Sequence, residues 1–339
     1  MRADHIEALA RRALVVAGVR SETAAIVAED LVAAEADGLA SHGIARLPAY
    51  VAQVRTGKID GHAQVVVTRP APASWIADAG CGFAAPAIRA GLNAACEGAR
   101  ETGVAGLAAA NSHHSGVLGS HAERAARAGL LCLGFSNGPA GIAPWGGQKA
   151  LFGTNPIAFA CPRAGAAPLV IDLSISKVAR GKVMLAAQRG EPIPLDWALD
   201  SDGKPTADAT AALKGTMLPM GDAKGAALAM MIEILSAALT GANFGYQASS
   251  FFTADGPPPR VGQFFFILDP NRFGGSFAAS VELLMDAVRE QPGTRLPGER
   301  RLGNRERAAE DGLVLPPALQ AELEQLAELP VDPVDHTPI

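Results

Sequence analysis

Few features in this chain announce a secreted, membrane-bound or nucleic-acid-binding protein. Cysteine is scarce: four residues, at 81, 96, 132 and 161, among 339. They form no C-x-x-C pair and have no histidine at zinc-ligand spacing, so they read as small core residues in a reducing compartment rather than as a disulfide framework or a structural zinc site. Long apolar runs are absent too. The most apolar helical stretch, 226–239, carries Glu233 near its middle and falls well short of the roughly 20 residues that cross a bilayer; it reads as a buried helix of a globular core. Arg2, Asp4, His5, Glu7, Arg11 and Arg12 interrupt the opening residues, against an ordinary secretory signal. Positive charge is not in excess, with 29 Lys and Arg against 34 Asp and Glu, so nothing draws in nucleic acid or an anionic membrane. The expectation is a cytoplasmic protein with small, soluble partners.

Two signature loops are missing as well. No G-x-x-x-x-G-K-[ST] phosphate loop and no H-E-x-x-H metal helix occurs, so triphosphatase and zinc-hydrolase chemistry lack an anchor. A loose dinucleotide fingerprint, Gly80-Cys81-Gly82-Phe83-Ala84-Ala85, follows a strand-like run. The acidic residue that should end the next strand is not there, because Glu97 and Glu101 fall within the helix itself. These glycines read as a turn.

What is present is core: 49% of residues are hydrophobic, enough for two domains. Ile26, Val27, Leu31 and Val32 at helical spacing predict a helix over 21–37, with Ser21 as candidate N-cap and Gly38 as stop. A second helix is predicted over 43–55, with Pro48 placed to kink its first turns and Gly57 as stop. Short β-type runs follow at 64–68, 74–78, 104–109, 130–135, 157–160 and 169–172, alternating with helix candidates, which argues a mixed α/β domain. The segment 297–329 turns charged and helical, with Leu319, Leu323 and Leu326 as a stripe suited to packing back on the N-terminal helices.

Four segments carry the residue types that chemistry needs. In Ser41-His42-Gly43-Ile44-Ala45-Arg46, His42 and Arg46 stand four apart, a proton carrier beside a cation that can grip a carboxylate; the bland alternative is a capping serine and a surface pair. Asn111-Ser112-His113-His114-Ser115-Gly116-Val117-Leu118-Gly119 is a polar, glycine-bearing turn after a strand, where backbone N–H groups can meet a phosphate. Its two histidines lack a carboxylate or cysteine at metal-ligand spacing, and no metal is assigned. Thr154, in Gly153-Thr154-Asn155-Pro156, offers a hydroxyl to a carboxylate or simply belongs to a turn. The fourth segment, Ile171-Asp172-Leu173-Ser174-Ile175-Ser176, is followed by Arg180-Gly181-Lys182, with solvated surface charge as the alternative. Loops with Lys224 and with Arg295-Leu296-Pro297-Gly298-Glu299-Arg300-Arg301 add cations suited to phosphate or to solvent.

Taken in order, from Ala34-Glu35-Ala36-Asp37-Gly38 through Gly153-Thr154-Asn155-Pro156 and Lys224-Gly225 to Leu296-Pro297-Gly298, these segments resemble the malate/L-lactate dehydrogenase family. That family is distinct from the classical lactate and malate dehydrogenases and includes sulfolactate and ureidoglycolate dehydrogenases, diketogulonate reductase and the Δ1-piperideine-2-carboxylate/Δ1-pyrroline-2-carboxylate reductases. The resemblance implies an α/β protein: a non-Rossmann NAD(P)-binding domain with a mixed sheet, residues 68–299, beside a helical domain formed by both chain ends, 1–67 with 300–339. It further implies a homodimer whose site lies between domains and near the partner subunit. By the same resemblance, His42 is the proton donor supported by Ser41, and Arg46 and Thr154 hold the substrate carboxylate with His114 beside them. His114, Ser115, Gly116, Val117, Leu118, Asp172, Leu173, Ser174, Lys182, Lys224, Arg295, Gly298, Arg300 and Arg301 hold the cofactor. Basic residues near these loops favour NADP over NAD.

One position splits the substrate reading. In the cyclic-imine reductases a relay aspartate stands ten residues after the Asp172 equivalent, and here that position is Lys182, which resembles the hydroxyacid branch. Asn111-Ser112-His113-His114 is similar to the imine reductases, whereas Gly116-Val117-Leu118-Gly119, Trp197-Ala198-Leu199-Asp200 and Ala248-Ser249-Ser250-Phe251 are similar to sulfolactate dehydrogenases. The leading expectation is oxidation and reduction between a 2-hydroxy acid, sulfolactate- or malate-like, and its 2-oxo acid. A cyclic ketimine reductase is the alternative, and a non-catalytic dinucleotide-binding protein a third.

Overall fold

Aliphatic residues at helical spacing place three helices at the start of the computed structural model, which describes residues 1–328: α1 (Ala3–Val16), α2 (Ser21–Ala36) and α3 (Leu47–Arg55). The first is absent from the expectations above because charged residues break its apolar run in the sequence. Ile6, Ala10, Ala13 and Leu14 nevertheless share one buried face. Ser21 does not cap α2: the N-cap is Arg20, and the Ser21 hydroxyl accepts from Arg11 Nη2 at 2.8 Å. Gly38 ends the helix at φ +76°, with the Asn304 amide filling the space a β-carbon would take. The helix predicted over 43–55 is shorter than expected. Two 3-10 turns, Ala40–His42 and Ile44–Arg46, precede α3, and Pro48 sits in its first turn, where a missing N–H costs nothing.

The chain continues through β1 (Val66–Ala71), β2 (Ser74–Asp78), α4 (Ala84–Thr102), β3 (Val104–Ser112), α5 (Leu118–Arg127), β4 (Leu131–Ser136), β5 (Ile157–Cys161) and β6 (Leu169–Leu173). It then forms α6 (Arg180–Arg189), β7 (Ala198–Leu199), α7 (Ala209–Lys214), β8 (Thr216–Met217) and α8 (Ala223–Glu233), which widens into a π-helix over Ile234–Ala238. Last come β9 (Val261–Leu268), α9 (Phe277–Arg289), α10 (Glu299–Asp311) and α11 (Pro317–Glu328).

The large sheet has the order β1-β2-β3-β9-β4-β5-β6. Only β2 and β3 run parallel, joined by the crossover helix α4; the other described neighbours are antiparallel. That mixed order is not the parallel Rossmann arrangement. The central strand β9 is missing from the predicted runs, yet it pairs with both β3 and β4 and buries Phe265 and Ile267 completely. The turn Gly80-Cys81-Gly82 is a turn, with Gly80 and Cys81 both at positive φ.

Among the described residues three large apolar clusters and a smaller one, of Cys161, Leu169, Met285 and Leu296, hold the fold. α4 and α5 close one face of the sheet over Leu107, Leu118 and Phe265. Ile142, Ile175, Val183 and Ile232 centre a second cluster that includes α6 and α8. In the third, Leu313, Leu315 and Leu323 from the C-terminal side join Ile6, Leu14, Leu47 and Tyr50, with Leu319 and Leu326 packed at its edge, so 297–328 does return to the N-terminal helices. Residues 329–339 lie outside the described part. The stretch 226–239 departs from expectation, since Met230, Met231, Ile234 and Leu239 are exposed and only the other face is buried. Glu233 is buried on that face, where its carboxylate accepts from Gly153 N, Asn155 Nδ2, Gly245 N and Asn137 Nδ2 at 3.0 to 3.1 Å.

Candidate active site

The two 3-10 turns before α3 aim a short run of side chains at the sheet. Ser41 Oγ lies 3.0 Å from His42 Nδ1, which leaves Nε2 free for another partner. The Ile44 N–H donates to the Glu35 carboxylate at 3.1 Å, fastening the turn to α2. Arg46 turns inward: Nε donates to the Ser41 carbonyl at 2.8 Å, the residue is 9% exposed, and Nη1 is buried without a hydrogen-bond partner among the described residues. Its guanidinium lies over the Phe252 ring, 4.4 Å from the centroid.

From the sheet side, the turn after β3 brings the His114 ring against His42, with centroids 5.3 Å apart. The Tyr50 hydroxyl and His114 Nδ1 are 2.8 Å apart, and the Phe251 ring packs 5.2 Å from His114 and 5.0 Å from His113. Both ring nitrogens of His113 are buried without hydrogen-bond partners among the described residues. Burial, then the neighbouring Arg46, lowers His42 to about 4. Burial, then Lys58 and Arg46, lowers His113 to about 3, and burial holds His114 well below the usual imidazole range. Burial raises the Tyr50 phenol to about 12. Neutral imidazoles therefore lie around the buried Arg46 guanidinium, whose Nη1 lacks an acceptor among the described residues. Such a pocket can take a carboxylate at Arg46 and a proton at His42.

Segments far apart in sequence gather beside this pocket, around the end of β6. Gly116 has φ +70° and open space where a β-carbon would point, so its turn offers bare backbone to the cleft that His42, Tyr50, Phe83 and His114 also line. α5 begins immediately after it without a side-chain cap. The Gly119 N–H donates to Asp172 Oδ2 at 2.7 Å, and a β-carbon on Gly298 would stand 3.2 Å from the Val170 carbonyl. Lys177 N and Met220 N reach across to Leu218 O and Ile175 O, both at 2.8 Å, which brings the start of α8 to the same end.

The family model described as malate/L-lactate dehydrogenase matches residues 1–324. The chain belongs to that family. Among its relatives is the (2R)-3-sulfolactate dehydrogenase (NADP(+)) of Chromohalobacter salexigens, 52% identical over 95% of this chain and 96% of that one. A Δ1-pyrroline-2-carboxylate reductase from Ancylobacter novellus is 41% identical over 95% of each chain. The crystal structure of Δ1-piperideine-2-carboxylate reductase from Pseudomonas syringae superposes with a TM-score of 0.91, at 39% identity, covering 96% of this chain and 99% of that one.

In this member of the malate/L-lactate dehydrogenase family, an oxidoreductase, the structure brings Ser41, His42, Arg46 and His114 into one cleft. It places the other sequence-derived candidates differently. Thr154 is half-buried, with its carbonyl accepting from Ile175 N at 2.8 Å and Ser174 Oγ at 3.2 Å, and its hydroxyl makes no contact with the His42 pair. Ser115 and Val117 are buried, and Leu118 is a core residue, so there backbone rather than side chain is on offer. Leu173 closes β6 half-buried. Lys182, Lys224, Arg295 and Arg300 are exposed. The Arg301 guanidinium is occupied, with Nη2 3.0 Å from Glu123 and Nε 3.5 Å from Asp37. Tyr50, Phe252 and Lys58 were not singled out by sequence; the four-residue interval from Arg46 and the second aromatic after Ser250 were the only signals for the first two.

Proposed function

We propose that this family member is an NADP-dependent oxidoreductase that interconverts a small 2-hydroxy acid and its 2-oxo acid, sulfolactate- or malate-like. The observation that carries the reading is the buried Arg46 guanidinium with its partnerless Nη1 beside the neutral Ser41–His42 pair. A buried cation with an idle donor is costly, and a substrate carboxylate supplies the acceptors it lacks, in the fork geometry that arginine favours. His42 Nε2 takes the hydroxyl proton as the acid is oxidised and returns it in the reverse direction. Ser41 holds the opposite ring nitrogen, and Tyr50 fixes the His114 ring behind it. Thr154 is assigned to the same carboxylate. Pairing Arg46 with that carboxylate also cancels a charge that holds His42 down, so substrate binding makes His42 more basic.

The cofactor supplies a hydride acceptor and donor at the nicotinamide ring. The open backbone at Gly116 fits its polar and phosphate groups, beside the start of α5, where Asp172 already accepts the Gly119 N–H, with Ser174, Lys224 and the 295–301 loop alongside. NADP is the form in the 52% identical relative's name, and the exposed Arg295 and Arg300 suit a 2′-phosphate. The start of α6, with Arg180 and Lys182, stands against Ser41: a β-carbon on Gly181 would be 4.0 Å from Ser41 Cβ. Positive charge there suits the second acidic group of a sulfo- or carboxy-substituted substrate. The cyclic ketimine reading has its own support in the apolar wall of Phe251 and His113, which suits a ring.

The same reading takes the helical part, 1–67 with 300–339, and the sheet part, 68–299, as two domains with the site between them. It also takes the protein as a cytoplasmic homodimer. The exposed Met230, Met231, Ile234 and Leu239 on α8 and its extension offer an apolar face for a second copy, and all four thiols are free.

The test is nicotinamide absorbance with NADPH and NADH against sulfopyruvate, oxaloacetate, pyruvate and Δ1-piperideine-2-carboxylate. Fastest turnover of a 2-oxo acid with NADPH is the expected result. Turnover of the cyclic imine alone replaces the reading with its alternative, and NADPH binding without turnover of any would sink both.

A further inference from the structure

Lys58, just past α3, is 1% exposed and forms no ion pair among the described residues. Its Nζ instead donates to three backbone carbonyls, Ser250 at 2.7 Å, Thr253 at 2.9 Å and Asp255 at 2.7 Å. Those three bonds use every donor an ammonium has. Burying an ammonium without a carboxylate is expensive, and a surface lysine and a water-exposed loop would avoid the expense. Two neighbours repeat the grip: Gln53 Nε2 donates to Phe251 O at 2.9 Å and Thr56 Oγ1 to Ala254 O at 3.0 Å.

The segment held this way, 250–255, has no helix or strand of its own, so side chains of α3 and its end satisfy the carbonyls that a ladder would otherwise engage. It delivers two rings to the pocket. Phe251 packs on His113 and His114, and Phe252 lies under the Arg46 guanidinium. Among the described residues the one hydrogen bond of Arg46 runs through Nε to the Ser41 carbonyl, so the Phe252 ring is the second contact that fixes the plane in which Nη1 is presented.

Resting on the proposed role of Arg46, we infer that Lys58 is a positioning residue for the acid substrate: by clamping 250–255 it sets the plane of the Arg46 guanidinium. The cofactor segments are gripped by other contacts, so loss of the clamp weakens substrate binding and spares cofactor binding.

The test uses the full-length protein, NADPH and sulfopyruvate. In Lys58→Met, KM for sulfopyruvate rises about tenfold, as for loss of one charge-assisted hydrogen bond, while kcat and the Kd for NADPH hold. Phe252→Leu, at a half-exposed ring, raises KM about threefold without lowering Tm. The double variant is no worse than Lys58→Met, because both act through one guanidinium. A purely structural lysine would lower Tm and leave KM per folded molecule unchanged, or shift KM, kcat and NADPH binding together; either outcome overturns the inference, as does full additivity. If Lys58→Met does not fold, Thr56→Val and Phe252→Leu decide, and an unchanged KM in both overturns it. Arg46→Met separates the two levels. Were it also to leave KM unchanged, the carboxylate role of Arg46 would fall first; a raised KM there with none at Lys58 removes only the clamp.

Discussion

The N-terminal helices meet the sheet along two seams that treat buried charge in opposite ways. Along one, Asp37 and Glu123 face three arginines: Arg305 donates to Glu123 from Nη1 at 2.8 Å and Nη2 at 2.9 Å and also pairs with Asp37, Arg301 reaches Glu123 at 3.0 Å, and Arg127 at 2.6 Å. Burial pushes the Glu123 carboxyl up, but Arg305 and Arg301 outweigh it and hold the group at about 2. Along the other seam, Arg46 keeps an idle Nη1 and His113 two idle nitrogens. The first seam pairs its carboxylates and guanidiniums with one another, leaving only Arg301 Nε, 3.5 Å from Asp37, without a hydrogen bond among the described residues, and works as structure. The second leaves donors without acceptors among the described residues, which the proposed acid substrate would supply, and an unsatisfied buried group is a reason to look for function.

The largest expected effect is on the second seam. His42→Ala lowers kcat by roughly 10²- to 10⁴-fold, the usual range for a lost acid/base group, with NADPH Kd unchanged by titration. Near-normal turnover would move the proton role to His114. On the first seam the effect falls on stability. Glu123→Gln costs about 3 kcal/mol, the lower end for a broken buried pair because Arg305 stays partly exposed, read as a shift of the urea midpoint. Its KM and kcat per folded molecule stay put. Arg46→Met raises KM for the acid by about tenfold to hundredfold, with a Tm that holds or rises because the variant no longer buries an unsatisfied donor.

Acid separates the seams. His42 and His113 fold with pKa values of about 4 and 3, below their ordinary 6.5, so between those limits the unfolded chain binds protons that the folded chain refuses. Their contribution to stability is complete above 6.5 and is lost as pH falls through the folded values. Glu123, lowered from 4.5 to about 2, keeps its contribution above 4.5 and loses it as pH falls through about 2. Urea midpoints across that range should fall first with the histidines, and His113→Phe should flatten only the upper part of the profile. A profile flat between 6.5 and 4.5 would contradict the burial of these rings.

The legible parts of the molecule are those whose partners are near in sequence. Ser41, His42 and Arg46 stand within two adjacent turns, so spacing pairs His42 with Arg46 and the family resemblance adds Ser41, although the turns are 3-10 and not the start of a helix. Five predicted strands from β2 to β6 were found because Gly, Pro and polar turns bound each one. β9 escaped because its stretch Phe264–Leu268 is apolar at every position and so shows no alternation in the sequence, even though Phe266 is exposed in the fold, and because its partners are the distant β3 and β4. Tyr50 escaped for the same reason, its contact with His114 being made across 64 positions. Lys58 reaches nearly 200 residues along the chain to backbone carbonyls, which carry no side-chain signal at all. Arg301 is the converse case: in the sequence a cation in a phosphate-like loop reads as a ligand, and only the fold reveals that its guanidinium faces Glu123 and Asp37.

The smallest predicted effect lies at the join between the cofactor segments. Asp172 Oδ2 accepts the Gly119 N–H at 2.7 Å in the first turn of α5, which has no other side-chain cap. Asp172→Asn keeps an acceptor there and removes only the charge, so it should cost no more than about 1 kcal/mol, the scale of a charge against a helix dipole. Its effect on binding tells the two adenosine forms apart. A carboxylate beside the ribose accepts from a 2′-hydroxyl and repels a 2′-phosphate, so Asn at 172 should weaken NADH and tighten NADPH if Asp172 faces that ribose. Equal Kd values for both cofactors, with the small loss in Tm intact, would confine Asp172 to holding α5 against β6.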